Sequence, residues 1–163
     1  FNNHLGVPIS LSNLSFDDKF GIFEVGMSRK GEIKNLTKLI RPHIGVITNI
    51  GEAHLENFKS VRGIAEAKSE IIEYIKSGGT IILNRDDKFF NYLFKKAKIQ
   101  KLKVSTFGTH KKSNVRLKKI IKKNNRLKIL AGMIDSDGTL KCQLGSYCYE
   151  ISQCEQRKHS SEN

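Results

Sequence analysis

The sequence predicts an α/β fold: a mostly parallel sheet flanked by helices, followed by a small β-rich segment. Three observations lead there. Short runs rich in Ile, Val, Phe and Thr alternate with helical patterns of ten or more residues across 20–107. Gly26, Pro42, Gly78-Gly79 and Gly108 punctuate those runs. Beyond about Ser113 the spacing changes to three strand-like runs joined by turns.

Each element follows from local chemistry. Phe20–Val25 reads as a buried strand, bounded by Asp17-Asp18 and Gly26. Gly31–Ile40 places Ile33, Leu36, Leu39 and Ile40 at helical spacing, with Pro42 just past the end. Ile44–Asn49 is a second strand. Ser60 caps a long helix to about Lys76, which Gly78-Gly79 terminates. Thr80–Asn84 is a third strand, and Asp86 or Asp87 caps a helix through about Ala97. Val104–Phe107 is a fourth strand. Val115–Ile121, Arg126–Ile134 and Thr139–Leu144 form a meander through Lys-Asn-Asn and Asp-Ser-Asp-Gly turns. The expected organisation is an α/β part over residues 1–112, a β-rich segment over 113–145 and an irregular tail over 146–163.

Composition narrows the function classes. The chain has 163 residues, 38% of them apolar, and a formal net charge of +13. It is too apolar for a disordered chain. Its longest apolar stretch, Ile44–Ile50, is far short of the roughly 20 residues of a membrane span. No charged-then-apolar leader opens the chain, and Cys142, Cys148 and Cys154 match no common zinc spacing. Free thiols and a cytoplasmic location are expected. The start at Phe1 suggests a fragment.

The charge is uneven. Residues 1–87 carry eleven Lys/Arg and eleven Asp/Glu, whereas residues 88–128 carry fifteen Lys/Arg and no acid. A nucleic-acid-binding module could use Lys95, Lys96, Lys98, Lys101 and Lys103. However, Phe89, Phe90, Tyr92 and Phe94 are spaced as a helix core face, not as a stacking platform. A solvated lysine face explains the run, and no nucleic-acid partner is expected.

Ligands of open parallel sheets bind beyond the carboxyl ends of the strands. Glu24, Asn49 and Asn84 fall at such ends, with His54 in the loop after the second strand. One carboxylate, one imidazole and two amides suit a hard cation with phosphates; each alone reads more readily as a loop residue satisfied by backbone, and together at equivalent strand ends they favour the site. Lys68 is more informative. Val61, Ile64, Ala65, Ile71, Ile72 and Ile75 all lie within about 60° of it around the helix axis. A lysine amid the buried face must snorkel, pair with a carboxylate such as Glu24, or lose its proton more easily than usual. No Gly-Lys dipeptide occurs, so these residues contain no phosphate-binding P-loop.

Five segments occur in order: Phe1-Asn-Asn-His-Leu-Gly-Val-Pro-Ile-Ser-Leu11, Glu24-Val-Gly-Met-Ser-Arg-Lys-Gly-Glu-Ile33, Thr48-Asn-Ile-Gly-Glu-Ala-His-Leu-Glu56, Ala67-Lys-Ser-Glu-Ile71 and Leu83-Asn-Arg-Asp-Asp87. Together they resemble the central ATPase domain of the Mur ligases, which build the peptidoglycan stem peptide. The likeness is clear over about residues 1–110 and looser beyond. It implies a P-loop-NTPase-like sheet, here incomplete because the Gly-Lys-Thr loop lies upstream of the Asn-Asn segment. It further implies ATP, Mg2+ and an acyl phosphate. The substrates implied are UDP-N-acetylmuramoyl-tripeptide and D-alanyl-D-alanine, for an enzyme that is a monomer at full length.

By that resemblance Glu24 holds the magnesium that bridges the ATP phosphates, and His54 holds a second. Lys68 matches a carbamylated lysine that supports the second metal. Asn84 matches the adenine-contacting asparagine, with Asp87 and Asn49 also on the nucleotide side. Asn2, Asn3 and His4 lie near the muropeptide. The Gly-x-His segment expected after the β-rich part is not found, so the tail is expected to be truncated or out of frame. The isolated chain is expected to be inactive. Another amide ligase of the same superfamily, of the folylpolyglutamate or cyanophycin synthetase type, is the alternative.

Overall fold

The computed structural model describes the backbone of residues 2–52, 55–123, 126–134 and 140–150, and side chains from Asn2 to Leu117 outside residues 53–55. The chain forms two compact units, Phe1–Ser105 and Thr106–Asn163.

The first unit is built on parallel strands. β1 (Ile44–Ile47) pairs with β2 (Thr80–Asn84) from Ile44 opposite Thr80 to Ile47 opposite Leu83. β3 (Lys103–Gly108) starts beside β2, where the Lys103 N–H donates to the Gly79 carbonyl at 2.9 Å. The helices are α1 (Gly6–Ser12), α2 (Glu32–Ile40), α3 (Val61–Lys68) and α4 (Phe90–Ile99). Ile64, Ile72, Ile81, Leu83 and Leu93 are fully buried at the centre of the core. In β1 only Gly45 and Ile47 are buried, while Ile44 and Val46 on the other face are exposed. Hydrophobic burial therefore fixes the side of β1 that faces the core.

The expected α/β architecture is present, with three local differences. No strand forms over Phe20–Val25, and Phe20 and Ile22 are 87% and 95% exposed. β propensity expresses itself only against a neighbouring strand and a covering layer. Among the described residues no strand pairs with this run. The helix expected from Ser60 to about Lys76 begins as predicted, since the Ser60 Oγ accepts from the Gly63 N–H at 3.1 Å. It is α-helical only to Lys68, then tightens into a 3₁₀ segment over Ser69–Tyr74. The α4 helix begins at Phe90, after the predicted aspartate; Asp87 instead accepts from the Phe89 N–H at 2.7 Å.

α2 shows how a distant residue can complete a helix end. Gly31 precedes it at φ 93°, a left-handed conformation that favours glycine. The Glu70 carboxylate, 6% exposed, accepts from the Gly31 N–H at 2.8 Å through Oε1 and the Lys34 N–H at 3.0 Å through Oε2. Two amides at the helix start gain a charged acceptor where the helix dipole favours one.

The second unit takes the end of β3, which pairs in parallel with β4 (Val115–Lys123) at Phe107–Val115 and Gly108–Arg116. The Asn114 Oδ1 accepts from both the Thr106 N–H (2.9 Å) and hydroxyl (2.8 Å), and the Thr106 Oγ1 accepts from the Asn114 N–H (3.1 Å). This closes the short connection. β5 (Arg126–Ile134) and β6 (Leu140–Glu150) continue as an antiparallel meander. β6 runs on to Glu150, into residues expected to be irregular, where Tyr147–Glu150 pair with Ile129–Arg126. Residues 151–163 lie outside the described residues, as does the whole Asp-Ser-Asp-Gly turn. Among the described residues, no helix is long and apolar enough to cross a membrane.

Replacing Glu70 by Ala leaves two part-buried amides at the start of α2 without their charged acceptor and is expected to cost about 3 kcal/mol. Urea unfolding of the chain measures this. A loss below about 0.5 kcal/mol contradicts the helix-end role.

Candidate functional site

β1 and β2 run in parallel, so the loops leaving them emerge at the same sheet edge. Thr48–Gly51 leaves β1, and Arg85–Phe89 leaves β2. Ile50 is buried at 6% exposure and anchors the first loop to the core. α3 ends at this edge with Lys68 as its last residue.

One peptide group joins these pieces. The Lys68 Nζ donates to the Asn49 carbonyl at 2.9 Å, and the adjoining Ile50 N–H donates to the Asp87 Oδ2 at 2.6 Å. Carbonyl and N–H belong to the same planar unit. An ammonium and a carboxylate thus sit at opposite ends of one peptide dipole. The remaining Asp87 oxygen, Oδ1, accepts from Phe89. Asn84 shapes the same turn: its Oδ1 accepts from the Asp86 N–H at 2.9 Å, and its carbonyl from the Asp87 N–H at 3.4 Å.

Of the three possibilities left open for Lys68, pairing with Glu24 is not the one adopted; its partner is a backbone carbonyl. The amine is half-buried. Burial lowers its pKa below the ordinary lysine value of 10.5, and the Asp87 carboxylate opposes that shift. The residue is therefore held in place yet gives up its proton more readily than a solvated lysine.

Glu24 lies elsewhere on the unit. The Asn2 Nδ2 donates to its Oε1 at 3.1 Å, and the Gly26 N–H donates to the Asn2 carbonyl at 2.7 Å. A Cβ at Gly26 would come within 2.9 Å of the Asn2 Cγ, so only glycine lets the asparagine cross to Glu24. Glu24 itself is exposed. Asn3 serves the backbone, its Oδ1 accepting from the Leu5 and Gly6 N–H groups at 3.1 and 2.9 Å. His4 is exposed. The Glu32 carboxylate is held below its usual pKa mainly by the Ser28 N–H, which it accepts at 2.6 Å. His54 lies outside the described residues.

Two groupings therefore emerge from the predicted site residues: Asn2 with Glu24, and Asn49, Lys68 and Asp87 about one peptide, with Asn84 in the turn that carries Asp87. Glu70 was not singled out by sequence reasoning. Counting one buried helix face could not find it, because it lies on a second buried side, against α2. Among the described residues, no three His, Cys, Asp or Glu side chains gather as a metal cluster.

The model of the Mur ligase middle domain matches residues 1–147. The chain belongs to the Mur ligase family. A UDP-N-acetylmuramoyl-tripeptide–D-alanyl-D-alanine ligase of Rickettsia prowazekii is 37% identical over 118 residues, covering 72% of this chain and 26% of the relative. The ligase of the same name from Bacillus subtilis is 45% identical over 87 residues, 53% of this chain and 19% of the relative. A crystal structure of MurF from Acinetobacter baumannii superposes with a TM-score of 0.77 at 26% identity, covering 98% of this chain and 33% of that one. The chain thus spans between a fifth and a third of the length of these Mur ligases.

The environment of Lys68 predicts its chemistry. Amine-acylation rates followed by mass spectrometry against pH are expected to give Lys68 a midpoint below 10.5. Asp87→Asn removes the opposing carboxylate and is expected to move it lower still. A wild-type midpoint at or above 10.5 contradicts the assignment.

Proposed function

We propose that this chain forms the ATP-handling middle portion of a ligase that joins D-alanyl-D-alanine to UDP-N-acetylmuramoyl-tripeptide. The observation that carries this reading is the convergence of Asn49, Lys68, Asn84 and Asp87 at the carboxyl edge of a parallel sheet in a Mur ligase middle domain. The names of the relatives support the choice of substrates.

In the proposed reaction a tripeptide carboxylate oxygen attacks the γ-phosphorus of ATP, and ADP leaves. The amine of D-alanyl-D-alanine then attacks the acyl carbon and releases phosphate. Asn84 contacts adenine, with Asn49 on the nucleotide side. Asn2, Asn3 and His4 stand toward the muropeptide.

Glu24 would supply a hard carboxylate oxygen to one Mg2+, and a carbamate on Lys68 with the His54 imidazole would hold a second. The exposed Glu24 carboxylate accepts from Asn2 at one oxygen, which orients it. Bound there, magnesium would offset phosphate charge as the phosphoryl group transfers. The half-buried Lys68 amine suits carbamate formation: its lone pair attacks carbon dioxide, an N–C bond forms, and a proton leaves to solvent. The Asn49 carbonyl holds the nitrogen at this edge.

In the full-length ligase, Lys68→Ala is expected to reduce ATP-dependent product formation by at least about 100-fold, the scale of lost electrostatic stabilisation. Mass spectrometry of the product and phosphate release measure it. An undiminished rate, or acceptance of glutamate instead of D-alanyl-D-alanine, overturns the reading.

A further inference from the structure

We propose that Asp87 is a positioning residue for Lys68, acting through the Asn49–Ile50 peptide and not by contact with the nucleotide. The proposal rests on Lys68 serving the site as proposed above, and it assigns Asp87 a distinct part in it.

Both oxygens of the carboxylate have backbone partners. Oδ2 accepts from the Ile50 N–H at 2.6 Å, and Oδ1 from the Phe89 N–H at 2.7 Å. The two amides belong to different segments, the loop leaving β1 and the approach to α4. Asp87 thus ties one loop to the other with short, charge-assisted bonds.

The Ile50 N–H shares its peptide with the Asn49 carbonyl, which receives the Lys68 ammonium. A carboxylate at the N–H end polarises the carbonyl at the other end and strengthens its bond to the cation. The buried Ile50 side chain pins the same unit from the core side. Rotating this peptide would break both hydrogen bonds at once. The amine is therefore fixed at a third point by a residue that does not touch it: the Asp87 charge reaches Lys68, while its hydrogen bonds end on backbone.

The arrangement explains why an aspartate stands here. An asparagine could accept one N–H but would present an amide donor to the other. It would also lack the charge that polarises the peptide. A glutamate would carry the carboxylate one methylene farther and disturb the turn shaped by Asn84.

Two measurements test this. In the isotopically labelled chain, the Ile50 amide is expected to resonate downfield. Lys68→Met, which leaves Asp87 in place, is expected to shift it upfield, and Asp87→Asn to shift it further and speed its hydrogen exchange at least about 10-fold. An Ile50 amide indifferent to Lys68→Met overturns the bridge, whether or not the Asp87 variant folds. In the full-length ligase, Asp87→Asn is expected to lower kcat about 10- to 100-fold with KM for ATP within about 3-fold, the signature of a misplaced group. Combined with Lys68→Ala it is expected to add no further loss. A raised KM for ATP with kcat unchanged makes Asp87 a nucleotide contact and overturns the proposal. Full activity of Lys68→Ala alone would refute the role of Lys68, and the amide shift would still decide whether the bridge exists.

Discussion

A single peptide group, Asn49–Ile50, organises the functional edge of this domain. Its carbonyl receives the Lys68 ammonium and its N–H meets the Asp87 carboxylate. Through it, the end of α3, the exit of β1 and the exit of β2 are coupled. A half-buried ammonium gains from a partner, because each lost charged hydrogen bond costs about 1.5–3 kcal/mol. A direct salt bridge would satisfy the charge equally well. The peptide bridge does so while keeping the carboxylate away from the nitrogen, which suits an amine that must react.

The same device recurs just past the end of α3. Glu70, two residues past Lys68, gives both of its oxygens to backbone amides at the start of α2. Glu70 and Asp87 are both carboxylates employed as bidentate acceptors for the main chain. Such bonds set loop and helix positions more sharply than side-chain ion pairs on the surface. The Lys30–Glu66 and Lys34–Glu73 pairs, at 3.5 and 3.9 Å between exposed or partly exposed groups, are of the weak surface kind. Their removal should leave the site where it is.

Much of this was legible in the sequence. The apolar spacing around Lys68 gave its burial correctly, since Ile64, Ala65, Ile72 and Ile75 are all in the core around it. Thr80–Asn84 and Arg126–Ile134 form strands with the predicted bounds, because alternation or continuous apolar character and clear turn signals agree there. The Phe20–Val25 run misled, since its composition is that of a strand while strand formation depends on a partner. The change of helical pitch at Ser69 also left no mark in the apolar pattern. The partner of Lys68 was hidden for a different reason: it is a backbone carbonyl, and every residue has one. Family motifs pointed to Asp87 but not to its backbone bonds, which only the meeting of two loops reveals.

The most direct test of this account is a crystal structure of the Asp87→Ala variant compared with the unaltered chain. If the peptide bridge organises the edge, the Thr48–Gly51 loop will turn its peptide and the Lys68 nitrogen will leave the Asn49 carbonyl, opening the 2.9 Å contact beyond hydrogen-bond reach. A variant structure in which that loop and the Lys68–Asn49 contact persist unchanged would contradict it.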